Sequence, residues 1–295
     1  MLDSQVVRVG FVTQLNWSRF GPFWVALAEA AGLEPVFATP DAVAERFRTL
    51  EAGAVPTVAF RLAAAQALAL GAEGAESVVV PELVRASEVA RGAGNDPWVV
   101  DLAGSLRSAL PGLAPLHPVP SWFGAELETR AVGFLQAHGH DPALVRRALD
   151  RARSLARAPR PGGSDVGAGP AGTSTVAVVG QPWLVTPGLV ALVGREGERV
   201  VGQHRIAPDE LRAEGHRVEP RLVDSDAEAL GAARLLGRRA AVDRLRLVVD
   251  AESGSDAWLA KRVARGAHKP LDVVTVQEAL ASRDPVDALL HSRLD

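Results

Sequence analysis

Short β-branched apolar runs alternate with longer amphipathic ones along most of the chain, the pattern that specifies parallel strands covered by crossover helices. In the first half it predicts strands at VVRVGFV (6–12), EPVFA (34–38), SVVVP (77–81) and WVVDL (98–102). Between them, GPFWVALAEAAG (21–32) reads as a helix with Gly21 at its cap, Pro22 in its first position and Gly32 as its stop. PDAVAERFRTLEAG (40–53), capped by Asp41, and the alanine-rich FRLAAAQALALG (60–71) are the next two. Residues 121–157 then give two helices with no strand between them, a hairpin around the turn HGHDP. Residues 158–174, rich in Gly, Pro and Ala, have no apolar periodicity to bury and read as a flexible linker. Strands return at TVAVVG (175–180), HRVEPRLV (216–223), LRLVV (245–249) and LDVVTV (271–276), with helices over DAEALGAARLLGRR (226–239) and SDAWLAKRVARG (255–266). The predicted fold is α/β: two Rossmann-like (flavodoxin-like) parallel-sheet domains, 1–120 and 175–295, with the hairpin and the linker between them.

Length fits this division, since 295 residues with 47% hydrophobic and 23% charged positions make two ordinary cores. Charge narrows the partners: 32 basic against 35 acidic residues, a net charge of -3, give no electrostatic reason to expect nucleic acid or an anionic membrane surface. The N-terminal MLDSQVVRVGFV carries an early acid and only a strand-length apolar run, unlike a signal peptide or a transmembrane helix, so a cytoplasmic protein is expected. Cysteine is absent, which removes disulfides, thiolate zinc sites, cysteine nucleophiles and the usual ligation of iron–sulfur clusters.

No GxGxxG follows the first strand and no GxxxxGK[ST] occurs, so the two common phosphate cradles lack sequence support. VGQPWLVTPG (179–188) leaves the end of a strand, where open α/β sheets bind ligands, although Pro182 and Pro187 also suit a plain crossing with Trp183 in the core. His138 and His140 of HGH lack a third ligand nearby, and Asp141 reads as the cap of the next helix, so no metal is expected there. Arg146, Arg147, Arg151, Arg153 and Arg157 make the second hairpin helix basic, which a solvated helix surface explains. The elbow DAESGSDAW (250–258) offers Asp250, Glu252 and Asp256 as hard oxygen ligands beside Ser253 and Gly254; it also suits a bare turn in which Gly254 bends the chain and Ser255 or Asp256 caps the helix.

In order and spacing, FVTQLNWSRFGPFWVALAEAAGLEPV, VPTVAFRLAAAQALALGAEGAESVVVPEL, VGQPWLVTPG and VDRLRLVVDAESGSDAWLAKRVARGAHKPLDVVTVQE together resemble the 2-hydroxyacyl-CoA dehydratase subunit superfamily, in the branch related to the activase-associated proteins. The similarity covers both α/β halves and fails in the linker. Such proteins hold an iron–sulfur cluster between two Rossmann-like domains and dehydrate a 2-hydroxyacyl-CoA through a radical, with an electron from an ATP-hydrolysing activator. The resemblance places Thr57 of TVAFRL and Ser253 of AESGSD where the family has cysteines, and Asn95 and Asp96 where a third would be expected. Neutral hydroxyls neither bind iron strongly nor set its potential, so no cofactor is expected and radical dehydration by this chain is not. The candidate cleft residues are Asn16, Thr57, Arg61, Gln181, Pro182, Trp183, Ser253, Gly254 and Asp256. Two classes of function follow as expectations. One is a non-redox binding or interaction protein, its partner a small molecule such as an acyl-CoA or a homologous dehydratase-like subunit. The other is an enzyme with replaced chemistry on a CoA thioester or related molecule, using Asp250, Glu252, Asp256 or His204.

Overall fold

The computed structural model describes residues 6–89, 96–157, 173–281 and 285–290. In chain order the first half runs β1 (Arg8–Phe11), α1 (Trp17–Ala31), β2 (Glu34–Val36), α2 (Pro40–Thr49), α3 (Val58–Ala72), β3 (Ser77–Glu82), α4 (Ala86–Val89), α5 (Pro97–Val100), α6 (Leu102–Ala109), β4 (Leu116–Pro120), α7 (Leu127–Ala137) and α8 (Pro142–Ala152). The second half runs β5 (Ser174–Gly180), α9 (Pro187–Leu192), β6 (Glu198–Gly202), α10 (Pro208–Val218), α11 (Asp224–Gly237), β7 (Arg244–Val249), α12 (Gly254–Gly266), β8 (Leu271–Thr275), α13 (Val276–Ala279) and α14 (Pro285–Leu289). The protein is α/β, with two parallel four-stranded sheets of the same order, β2-β1-β3-β4 and β6-β5-β7-β8. Each therefore reverses direction beside its first strand, between β1 and β3 and between β5 and β7, the switch points at which such sheets take ligands.

Successive side chains of a strand face opposite sides of a sheet, and the central strands split their residues accordingly. Val9 and Phe11 of β1 and Val79 of β3 join one apolar cluster with α1 and the hairpin of α7 and α8, while Val78 and Val80 of β3 join another with α3 and α6. In the second sheet Ala177, Val179, Leu245 and Leu247 face α11 and α12. Val178 and Val248 face the other way, into the same cluster as Val78 and Val80. One hydrophobic core thus runs from the inner face of the first sheet to the inner face of the second, through Phe60, Trp98, Trp183 and Leu184.

Several expected elements are corrected. WVVDL is not a strand: Pro97 opens the short helix α5, and Asp101 then caps α6 by accepting the Gly104 N–H at 2.8 Å. HRVEPRLV is not a strand either, since Leu211, Glu214 and Gly215 recur at helical spacing and its first residues end α10. The missing strands are β4 (LHPVP) and β6 (ERVVG), both edge strands, where proline and charge are tolerated because one side of the backbone has no partner to bond. Helix α1 starts at Trp17 with Asn16 as N-cap, and Pro22 lies inside it; Gly21 serves packing, since a Cβ there would lie 2.2 Å from the Trp17 ring. Helix α2 is capped by Thr39 and ends at Thr49, and α7 begins only at Leu127. Asp141 does cap α8, accepting the Ala143 and Leu144 N–H groups at 2.8 and 3.0 Å. Most of the expected linker, residues 158–172, lies outside the described residues. No helix among the described residues is long and apolar enough to cross a membrane.

Two close approaches fix α11, whose first turn faces the other half. A Cβ on Gly231 would lie 1.9 Å from the Leu211 carbonyl oxygen, and one on Gly215 would lie 2.0 Å from that of Ala227. Only glycine lets α10 and α11 come this close.

Candidate functional site

The segments that leave the carboxyl ends of the strands in the two halves meet along a seam. After β3 comes Asp96, the residue before α5; after β7 comes the elbow of Asp250 to Asp256. The Ser253 hydroxyl donates to Asp96 Oδ2 at 2.7 Å, and the Asp96 N–H donates to Ser255 Oγ at 2.8 Å. Asp250 Oδ2 accepts the Val58 N–H at the start of α3 at 2.7 Å. Its other oxygen stays within its own half, accepting from the Glu252 N–H at 3.0 Å and the Gln277 amide at 2.7 Å. Within the elbow Ser253 is the N-cap of α12, accepting the Asp256 N–H at 3.0 Å, so neither Ser255 nor Asp256 plays that part. Asp256 Oδ2 accepts the Asp250 N–H at 2.7 Å.

These groups enclose a cavity lined by Thr57, Ala59, Asp96, Trp98, Val99, Gln181, Trp183, Leu184, Asp250, Ser253, Ser255 and Asp256. Its free volume is about 10 Å³, room for roughly one water molecule. Its apolar wall is an aromatic trio: Trp98 stacks on Phe60 with centroids 5.8 Å apart and meets Trp183 edge-on at 5.5 Å. Five of the nine residues named from sequence therefore line one cavity: Thr57, Gln181, Trp183, Ser253 and Asp256. Gly254 borders it, its Cβ position 3.8 Å from Asp96 Oδ1, and Pro182 lies between two lining residues without lining it. Arg61 is elsewhere, bonded to the Phe47 and Leu50 carbonyls at 3.0 and 2.8 Å and lying over the Phe47 ring, so it ties α3 to α2. His204 packs against Gly202 at the end of β6 and is absent from the lining. Asn95 lies outside the described residues.

Burial sets the electrostatics. The Asp256 carboxyl is pushed up to about 7, first by burial and then by the charges of Asp250, Asp226 and Asp96, against the pull of the Asp250 N–H. Asp226, whose Oδ1 takes the Gln181 amide at 2.5 Å, is pushed up to about 6 by burial, with Asp96 adding to the shift. A second charged cluster crosses the seam at the first turn of α11. Arg85, beyond β3, donates to Asp224 at 2.8 Å, and Arg19 of α1 pairs with Glu228 at 2.9 Å. Arg212 reaches the same Glu228 at 2.9 Å, and His216 bonds Asp224 at 3.1 Å. Glu88 of α4 is pushed up to about 7 by burial and by the neighbouring Asp224, and Arg85 pulls the other way.

Several buried polar atoms here lack partners, as do others away from the seam such as Trp24 Nε1, Gln66 Oε1 and Arg246 Nε. Among the described residues, Gln181 Oε1, Asp226 Oδ2, Ser225 Oγ and the Trp98 indole N–H lack hydrogen-bond partners while buried. Neither amide atom of the fully buried Gln14 has a partner, and the next two residues, Leu15 and Asn16, hold left-handed φ angles of 61° and 71°. Asn16 makes no side-chain cap bond to α1. Such backbone costs of order 1–3 kcal/mol per residue and persists where its surroundings impose it. Sequence reading left out Trp98, Gln14, Asp226 and the α11 cluster; Asp96 it named only as the position of a missing cysteine. Larger clefts of about 400 and 390 Å³ lie on the surface, one beside Glu82, Trp122 and Arg130, the other between α7 and α8. Neither contains a residue named from sequence as a cleft candidate. Of the HGH histidines, His138 bonds Ser77 Oγ at 3.0 Å and the Phe134 carbonyl at 2.8 Å, while the buried His140 Nε2 has no partner among the described residues. Among the described residues no group of three or more His, Asp or Glu side chains could hold a metal ion. No protein-family model matches the chain, and no curated protein matches it.

Proposed function

We propose that the chain is a cluster-free relative of the 2-hydroxyacyl-CoA dehydratase subunits, acting as a binding protein without redox chemistry, and that its ligand enters the seam between the two sheets. One observation carries the reading. Thr57, Asp96 and Ser253, the residues that the resemblance sets at or beside the family's cysteine positions, lie far apart in sequence yet line one cavity. Two hydroxyls and a carboxylate are a poor set for iron–sulfur ligation but a usable one for hydrogen-bonding a polar ligand. In the closed seam the cavity has room for roughly one water, so a ligand gains access by breaking the Asp250–Val58 and Ser253–Asp96 contacts and widening it. Anaerobic incubation with iron and sulfide, followed by native mass spectrometry, tests the reading. A protein without stoichiometric iron and sulfide that retains a small molecule after gentle purification supports it; one that builds a stoichiometric cluster refutes it.

A second reading has its own observation. Asp256 sits in this cavity with a carboxyl poised near neutrality, the condition that general acid–base catalysis requires, and Ser253 Oγ is bonded to Asp96. On this reading the chain is an enzyme acting on a CoA thioester or related small molecule with Asp250 and Asp256 as its acids and bases. Alanine at both positions abolishes any turnover detected if it is correct and leaves turnover unchanged if it is not.

A further inference from the structure

Two helices start at this cavity from opposite halves, α3 behind its cap Thr57 and α12 behind its cap Ser253. Each start is met by a carboxylate of the other half: Asp250 accepts the Val58 N–H of α3, and Asp96 accepts the Ser253 hydroxyl at α12. The two ends are not equivalent. Helix α12 carries the Asp256 carboxyl in its own first turn, where it takes the Asp250 N–H at 2.7 Å, so that end is already occupied by an acid of its own half. Helix α3 is 15 residues long, has no acid in its first turn, and turns the positive end of its dipole and a backbone donor toward Asp250. Its cap bond is long, with Phe60 N donating to Thr57 Oγ1 at 3.4 Å.

A separate feature asks for the same kind of partner. Trp98 lines the cavity at 5% exposure, and its indole N–H has no acceptor among the described residues. A buried donor without an acceptor is costly enough that native proteins keep few of them. Both the unmatched indole and the start of α3 call for an acceptor, and the acceptor now at α3 is borrowed from the other half.

We propose that the N-terminal end of α3, with Thr57, Ala59 and Trp98 around it, is a binding site for an anionic group, a carboxylate or a phosphate, and that Asp250 fills it as a built-in placeholder while the seam is closed. The inference rests on the reading of the seam as a ligand site and names the chemistry it takes. An incoming anion takes over the donor that Asp250 held at α3, while Asp250 moves off with its own charge, so the α3 end and the Trp98 indole must offset the charge that the ligand adds to a cavity also lined by Asp96 and Asp256. Asp250 can withdraw without being stranded, since its other oxygen keeps the Glu252 and Gln277 donors.

The test uses the full chain and Asp250→Asn. Whichever way the new amide turns, it either presents N–H to the Val58 N–H or gives up the Glu252 and Gln277 bonds, so the placeholder is weakened at almost constant volume. Inorganic phosphate and acetate are titrated separately at constant ionic strength in chloride, following the Val58 amide and the Trp98 indole N–H by ¹H–¹⁵N NMR. The expected result is a saturable shift of both signals, with affinity roughly tenfold or more higher in the variant, because the competing charged hydrogen bond is gone. The anion that saturates at lower concentration identifies the phosphate or the carboxylate as the group recognised. If the variant does not fold, wild type against Trp98→Phe decides, with loss of the indole donor expected to weaken binding. Signals at Val58 and Trp98 that stay unmoved by both anions overturn the inference. A neutral molecule co-purifying in the seam alongside that result would leave the binding reading standing and the anion site refuted.

Discussion

Replacing Asp256 with Asn tests whether the seam keeps a protonated acid near neutral pH. In the folded protein the Asp256 carboxyl is raised from its ordinary 3.8 to about 7, by burial first and by three neighbouring carboxylates after it. A group that holds its proton more tightly when folded destabilises the fold progressively as pH rises. Below about 4 both states are protonated and nothing is lost; between about 4 and 7 the unfolded chain ionises while the folded one does not. Each pH unit in that window costs about 1.4 kcal/mol, so the whole interval costs about 4 kcal/mol. Between pH 5 and pH 8 the share falling due is roughly 2–3 kcal/mol. Asparagine has nearly the shape of the neutral acid, its Oδ1 can still take the Asp250 N–H, and it never ionises. The difference in stability between Asp256→Asn and wild type should therefore be small at pH 5 and favour the variant at pH 8. For a chain of this length that is a gap in Tm of roughly 5 °C. Other titrating groups, Glu88 and Asp226 among them, are present in both proteins and largely cancel. Thermal unfolding of the two proteins across pH 5–8 gives the answer, and a Tm difference independent of pH would mean that Asp256 is ionised in the native fold.

Other outcomes follow from the same geometry. Glu88→Gln should flatten part of the loss of wild-type stability between about pH 5 and 7, since burial and Asp224 hold this acid up to about 7; an unchanged slope in urea midpoints against pH would contradict that. Arg246, fully buried in the middle of β7, donates to the Val193 carbonyl at 2.6 Å, to Glu198 at 2.6 and 2.9 Å and to Asp272 at 3.2 Å. Arg246→Ala should cost about 3 kcal/mol in chemical denaturation, because it leaves Glu198 without its principal partner, and a cost below about 1 kcal/mol would refute this. Gly231→Ala forces α10 and α11 apart at the Leu211 carbonyl and should cost about 2 kcal/mol or more, with helix content by circular dichroism retained.

The central strands were legible because burial on both faces demands a largely apolar run, as in SVVVP, TVAVVG and LRLVV, the last interrupted only by Arg246. The edge strands were not, for the same physical reason in reverse: LHPVP and ERVVG are bonded on one side only and tolerate proline and charge. HRVEPRLV alternates enough to imitate a strand, but its first residues are held in a helix by the glycine-mediated contact of α10 with α11, which no local pattern reveals. The elbows at the ends of β5 and β7 were readable one at a time, which is why Gln181, Trp183, Ser253 and Asp256 were named. What joins them was not readable. The Ser253–Asp96 bond spans 157 residues and the Val58–Asp250 bond 192, and nothing local in PTVAF or NDPWVV announces a partner so far along the chain.

The distribution of local cost is informative beyond any one residue. Away from the seam the terminal nitrogens of Arg246 are matched to two carboxylates and a carbonyl, although its Nε has no partner among the described residues. At the strand ends several such costs occur in short order: two consecutive left-handed residues after β1, a fully buried amide at Gln14 without partners, an unmatched indole at Trp98 and acids pushed up to about 6 and 7. Each lowers stability, and a sequence selected for a closed, inert seam would replace them with apolar residues of similar size, often a stabilising change. Strain and unsatisfied polar groups concentrate where a protein must change partners. The unmatched Trp98 indole and the Asp256 carboxyl share a cavity with Asp250, which makes the Asp250–Val58 contact the place where a ligand would repay the cost. On that basis Gln14→Leu is expected to stabilise the chain, read as a higher urea midpoint, and to weaken whatever the seam binds.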